Sequence, residues 1–231
     1  MPRAFHKLSA LALGTLLAAP AAARAQSIPS AYSFIETRQE AGLFAGYVNA
    51  NAGRFGYGPS GGLMYGARYA VRLSGPVALE GVGAMVQGKR DIINPSLPEA
   101  SWKIGEGDVL LTTVDARLRF TATGDRAWHS LSPFLVLGGG VAFDLGATPA
   151  ANEFLEERDV FDFGTSFYGT LGLGTHVYVM DRLALRTDGT FALWRLKTPP
   201  GFSDTDRPFT GVENREWVRS LGIAVSLLYR W

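Results

Sequence analysis

The residues of this 231-residue chain that could do chemistry fall into three groups. The first is a set of charges at alternate positions inside apolar stretches: Arg68 and Arg72, Glu80, then Asp115, Arg117 and Arg119, and later Arg186 and Asp188, with His176 as a further titratable member. A spacing of two puts such residues on one face of an extended strand. Paired, they make a polar network; unpaired, they would line an ion path. The second group is nucleophilic. Acyl transfer needs a serine, a histidine and an acid, and His129 beside Ser130, together with His176, are the places to seek them. The third is an acidic run, Glu153, Glu156, Glu157, Asp159 and Asp162, which reads as a solvated loop or as a holder of divalent cations. Cysteine is absent, so thiol nucleophiles, zinc-thiolate sites and disulfides are excluded. Glycine runs at 138–140 and 169–174 lie inside alternating stretches with no helix after them, so they ease strand curvature rather than cradle phosphate. No catalytic residue, metal site or cofactor is expected.

The elements that must position these charges are strands. From Asn214 to Trp231 every second residue is apolar: Leu221, Ile223, Val225, Leu227, Tyr229 and Trp231 alternate with Ser220, Gly222, Ala224, Ser226, Leu228 and Arg230. A face that is apolar along its whole length must meet one apolar phase. At the other end, Arg3 and Lys7 precede an apolar, alanine-rich run, and Ala23 and Ala25 supply the small residues of a signal-peptidase site, so residues 1–25 read as a secretory leader cleaved before Gln26. Without Arg3, Lys7 and Arg24 the chain carries 19 basic against 21 acidic residues, a net charge of −2, and a nucleic-acid partner gains no support. After the leader no apolar run reaches the roughly 20 residues of a spanning helix. A membrane crossing must then use strands closed into a barrel.

Residues 26–37 form a short lead-in and residues 38–231 supply eight such strands: 38–50, 61–73, 77–88, 108–121, 132–146, 163–179, 183–196 and 214–231. The first has Leu43, Ala45 and Tyr47 on one parity and Gly42, Phe44 and Gly46 on the other, which leaves its facing open. Long connections follow strands one, three, five and seven, and shorter ones follow two, four and six. This layout, with the terminal aromatic, resembles the small OmpA-, OmpX- and OmpW-type outer-membrane barrels of Gram-negative bacteria. The resemblance implies an all-β, eight-stranded antiparallel up-and-down transmembrane β-barrel, with short periplasmic turns and four long extracellular loops. It further implies that Tyr229 and Trp231 belong to a signal read by the barrel-assembly machinery, and that the chain resides in the outer membrane among lipid and lipopolysaccharide.

A soluble barrel alternates in the same way with its faces exchanged. Against it stand the scarcity of lysine after the leader (Lys89, Lys103 and Lys197), the arginines and acids shared on one parity, and aromatics near both ends of the apolar faces. If Leu73 pairs with Val77 across the Ser74-Gly75-Pro76 turn, Ala70 faces Glu80, and its carboxylate lies within diagonal reach of Arg68 and Arg72. With eight strands, side chains fill the interior, which favours a polar plug over a gate or ion path. The expected function is a non-enzymatic barrel contributing envelope integrity or surface interaction through an unidentified loop ligand. The alternatives are a narrow channel for small or apolar solutes and a lipid-modifying enzyme of the kind that uses serine, histidine and an acid.

Overall fold

Alternating stretches become strands because successive side chains of an extended chain point to opposite faces. In the computed structural model, which describes residues 31–231 apart from Thr205 and Pro208, they form ten strands among the described residues. These are β1 (Tyr32–Phe34), β2 (Gln39–Ala50), β3 (Pro59–Ser74), β4 (Val77–Ile93), β5 (Lys103–Thr121), β6 (Arg126–Trp128), β7 (Leu131–Asp144), β8 (Thr165–Met180), β9 (Leu183–Lys197) and β10 (Arg215–Arg230). Eight of them pair antiparallel with their neighbours in the order β2-β3-β4-β5-β7-β8-β9-β10, and β10 returns to β2. The circle of eight is closed, so the barrel wall itself has no unpaired edge. Closure holds to the final residue: the Arg38 and Gln39 amides donate to the Trp231 carbonyl at 3.1 and 3.0 Å, and the Trp231 amide donates back to Gln39 at 3.0 Å. The leader and its Ala23 and Ala25 lie outside the described residues.

The first strand's facing, open in the sequence, is settled by the burial of Phe44 and the exposure of Leu43 and Tyr47. Phe44 fits inside because Gly66 stands opposite it on β3, where a Cβ would come within 2.7 Å of the phenyl ring. Around the wall the outward positions are apolar: Leu43, Leu63, Leu79, Val114, Leu137, Leu171, Leu193, Ile223 and Val225 are all exposed. That belt is continuous around a closed sheet. It far exceeds the few hundred Å² that a water-soluble monomer tolerates.

Three features depart from the expected layout. β4 and β5 are 17 and 19 residues long, so the expected loop at 89–107 is largely a hairpin standing above the rim, with the connection reduced to 94–102. The period of two simply continues. Lys89 and Asp91 point out toward Glu106 and Lys103, with ion pairs of 2.8 to 3.5 Å, while Arg90 and Ile92 are buried inside. The described part of the lead-in, residues 31–37, is also structured, since β1 pairs with β6. Because β7, which follows β6, is four positions from β2 in the eight-strand circle, residues 31–37 cross the short-turn mouth. Ile35 is buried there. The turn expected at 122–131 accordingly contains β6 rather than irregular chain alone.

Candidate functional site

Inside the short-turn half of the barrel the charges of six strands meet. Register sets Ala70 opposite Glu80, and the Glu80 carboxylate receives three arginines. Arg186 Nη1 donates to its Oε2 at 2.5 Å, Arg119 Nη1 donates to the same oxygen at 3.3 Å, and Arg68 Nη1 lies 3.7 Å from its Oε1. Arg186 and Arg68 also donate to Asp188 Oδ1, each at 3.0 Å. The four groups therefore close a ring of alternating sign, Glu80-Arg186-Asp188-Arg68. β4 and β9 are four positions apart in the circle of eight, so the Glu80 to Arg186 contact spans the lumen. Both side chains are 0% exposed.

A third carboxylate, Glu40 on β2, extends the ring. It pairs with Arg119, and its Oε1 lies 3.3 Å from His176 Nε2. His176, buried on β8, also stands 3.4 Å from Arg119 Nη1 and packs beside Phe134 at 4.9 Å and Tyr178 at 6.0 Å. Aromatic faces flank the cations: Arg186 lies over Phe134 at 4.4 Å, Arg68 over Phe44 at 4.6 Å and Arg230 over Tyr178 at 4.2 Å. Asp115 and Arg117 form a separate pair one step higher, where Arg117 Nη2 and Tyr168 Oη donate to Asp115 Oδ2 at 2.9 and 2.6 Å.

Arg72 does not join Glu80. A register shift between Arg72 and Ser74 leaves Ser74, not Leu73, opposite Val77, and Arg72 Nη1 donates instead to the Ile35 carbonyl at 2.7 Å. The strap over the mouth thus takes the cation assigned to the carboxylate. Glu40, by contrast, is a network member absent from the sequence-based set. Its signal was an acid sharing the parity of Phe44 within a strand.

The long-loop half of the lumen is apolar, which corrects the expectation of a polar interior throughout. Tyr57, Phe161, Phe163, Trp194, Leu196 and Phe202 are buried with Val86, Val109 and Leu111. Phe55, Trp102 and Phe209 pack on them. Ring centroids lie 4.8 Å apart for Phe55 and Phe202, 5.2 Å for Tyr57 and Phe161, and 5.3 Å for Trp102 and Phe209. Aromatic pairs at such distances contribute about 0.5 to 1.5 kcal/mol beyond the area they bury.

Polar ties hold the loops over this cap. Arg207 donates to Asp159 at 2.6 and 2.9 Å, to the Gly201 carbonyl at 3.0 Å and to Ser96 Oγ at 3.1 Å, which joins three loops at one guanidinium. Asp159 is buried in that bidentate pair, so it is no part of a solvated acidic run. Glu216 accepts the Arg54 amide at 2.9 Å and the Tyr57 hydroxyl at 3.0 Å, and Asp144 accepts the amides of Leu110 and Gly146 at 3.1 and 2.8 Å. Among the described residues no group of three or more His, Asp or Glu side chains is arranged to hold a metal ion.

Of the nucleophilic candidates, His129 and Ser130 occupy a turn at positive φ, 48° and 65°, with His129 exposed against Trp128. Ser132 faces His176 across β7 and β8, but its hydroxyl lies 3.0 Å from that of Thr123. Tyr229 and Trp231 stack at the turn end of the outer wall, their rings 5.8 Å apart, with Tyr69 6.3 Å from Trp231.

No protein-family model and no curated protein matches the sequence. Among solved structures, the chain is similar to the outer membrane protein OprG from Pseudomonas aeruginosa, with a TM-score of 0.54 at 11% identity over 84% of this chain and 96% of that one. It is similar also to Neisserial surface protein A, with a TM-score of 0.53 at 12% identity over 84% and 97% of the two chains. At such identities the likeness is one of fold. A closed circle of eight antiparallel strands with an apolar outer belt and a filled interior gives this chain the fold of the small eight-stranded outer-membrane β-barrels.

Proposed function

We propose that the protein is a non-enzymatic outer-membrane barrel whose closed lumen is structural and whose four loops serve envelope integrity or contact with an extracellular ligand. The observation that carries this reading is the ion pair between Glu80 and Arg186, which spans the lumen with both side chains fully buried. Above it lies the aromatic cap, and below it the strap ending at β1. An ion entering from either side meets packed side chains. The apolar belt supports a lipid environment, and the short turns at one end support the orientation in which the turns are periplasmic and the loops extracellular. Lipid and lipopolysaccharide then surround the wall, and the strand ending in Tyr229 and Trp231 is what the barrel-assembly machinery would read.

Purified protein added to planar lipid bilayers should produce no discrete conductance steps. Reproducible steps would overturn the closed-lumen reading in favour of a narrow channel. Cell fractionation should recover the protein with the outer membrane, and recovery in the soluble periplasm would overturn the location. Lipid A from cells with and without the gene should give the same mass spectrum; a mass difference corresponding to an acyl chain would overturn the non-enzymatic reading.

A further inference from the structure

The outer wall is not uniform at its long-loop rim. Along β10 the outward residues run Tyr229, Leu227, Val225, Ile223 and Leu221, then change to Arg219, Trp217 and Arg215, all exposed. On the neighbouring β9 they change from Leu193 to Arg195 and Lys197. Register brings the two sets together, with Arg215 opposite Lys197, Trp217 opposite Arg195 and Arg219 opposite Leu193. Arg195 lies over the Trp217 ring at 5.5 Å. Like charges directly opposite on paired strands are unfavourable, yet here Arg215 faces Lys197.

Among the described residues no acid forms an ion pair with any of the four cations. Glu216 turns inward to the Arg54 amide and Tyr57, and the exposed Glu213, two residues before Arg215, makes no such pair. The β4 and β5 sector of the same rim is the internal control. There Lys89 and Lys103 are matched by Glu106 and Asp91 within 2.8 to 3.5 Å. One sector is neutralised by its own side chains; the other presents four positive charges and an exposed indole immediately above an apolar wall.

We propose that this sector of β9 and β10 binds the phosphate headgroup of an anionic membrane lipid, with the acyl chains lying along Ile223, Val225 and Leu193. Arginine suits phosphate through its bidentate fork, and an indole at the boundary of an apolar wall is at home at headgroup depth. Charge complementarity commits the patch to a phosphate lipid of net negative charge rather than to a zwitterionic one. The proposal rests on the reading that the apolar belt faces lipid.

The test uses the full mature chain in phosphatidylcholine vesicles, with spin-labelled phosphatidic acid or spin-labelled phosphatidylcholine as the probe. The motionally restricted fraction of the spectrum reports lipid held at the protein wall. Phosphatidic acid should be selected severalfold over phosphatidylcholine, with the preference falling as salt is raised from about 0.1 to 1 M. The quadruple variant R195Q/K197Q/R215Q/R219Q should bring the two probes to parity, and R195Q/R219Q should fall between. K89Q/K103Q, which removes cations already matched by acids, should keep the selectivity. Parity in the unmodified protein, or undiminished selectivity in the quadruple variant, would overturn the proposal while leaving the barrel in its membrane. Failure of the unmodified protein to float with vesicles at all would overturn the lipid-facing reading as well.

Discussion

The two halves of the lumen are closed by opposite chemistry. The short-turn half is filled by charge, with three arginines and three acids from opposite walls neutralising one another and Glu80 at their hub. The long-loop half is filled by rings, most of them carried by the loops themselves. Each solution follows from what its end of the barrel can supply. Where the strands run in regular register, inward positions are fixed in space, and charges on rigid elements can be placed within hydrogen-bond reach of partners across the interior. Loops lack that register. A directionless apolar contact tolerates their irregular backbone, and a few polar ties such as Arg207 to Asp159 then fix the arrangement.

The two halves should therefore fail differently. Removing the hub by Glu80→Ala leaves Arg68, Arg119 and Arg186 competing for two carboxylates in a dry space, and should cost about 3 to 5 kcal/mol in urea unfolding from lipid vesicles. A loss below about 1 kcal/mol would mean that water reaches the ring and that the contrast between the halves is one of degree. Phe202→Ala removes a fully buried ring from the cap and should cost about 3 kcal/mol, confined to the loops. Protease cleavage within 51–58 and 198–214 should rise while hydrogen exchange in the strands is unchanged; faster exchange throughout the barrel would show that the cap and the ionic half form one cooperative unit.

The smallest effect belongs to the rim of the cap. The Tyr57 hydroxyl donates to Glu216 at 3.0 Å and lies 3.2 Å from Thr198 Oγ1, so Tyr57→Phe should cost about 1 kcal/mol by loop proteolysis. Burial pushes the phenol above its ordinary value of 10.0, and the Glu216 carboxylate adds to the rise, against the Thr198 hydrogen bond. A folded-state value above the unfolded one means that the folded cap holds its proton longer. Its contribution is complete below pH 10 and is lost as pH rises beyond it. Loop protection should then decline above about pH 10 in the parent and decline less in Tyr57→Phe. Identical pH profiles would place the alkaline sensitivity elsewhere.

How far the sequence disclosed these halves depended on which physical rule wrote them. Arg68 and Glu80 were legible because a tight turn transmits register, so two strands joined by one turn could be aligned on paper. Arg72 was misplaced because the shift between Arg72 and Ser74 and the strap at Ile35 are local irregularities that alternation cannot carry. Arg186 was legible as an inward residue but not as the partner of Glu80, since contact across the lumen depends on closure of all eight strands. Glu40 was missed because glycine and alanine on both parities of β2 blurred its facing. The aromatic cap has no period, so alternation gives its residues only as loop. Its one signal was compositional: Phe55, Tyr57, Trp102, Phe161, Phe202 and Phe209 are more rings than solvated connections need.

Closure of the short-turn half by a buried contact across the barrel can be measured by a double-mutant cycle on Glu80 and Arg186. Urea unfolding in vesicles would be measured for Glu80→Ala, Arg186→Ala and the double variant. The double variant should lose less than the sum of the singles by about 2 kcal/mol or more, because each single strands a buried charge that the double removes. Additivity within about 0.5 kcal/mol would contradict it: the two side chains would then be independent, and the lumen would not be closed by their pairing.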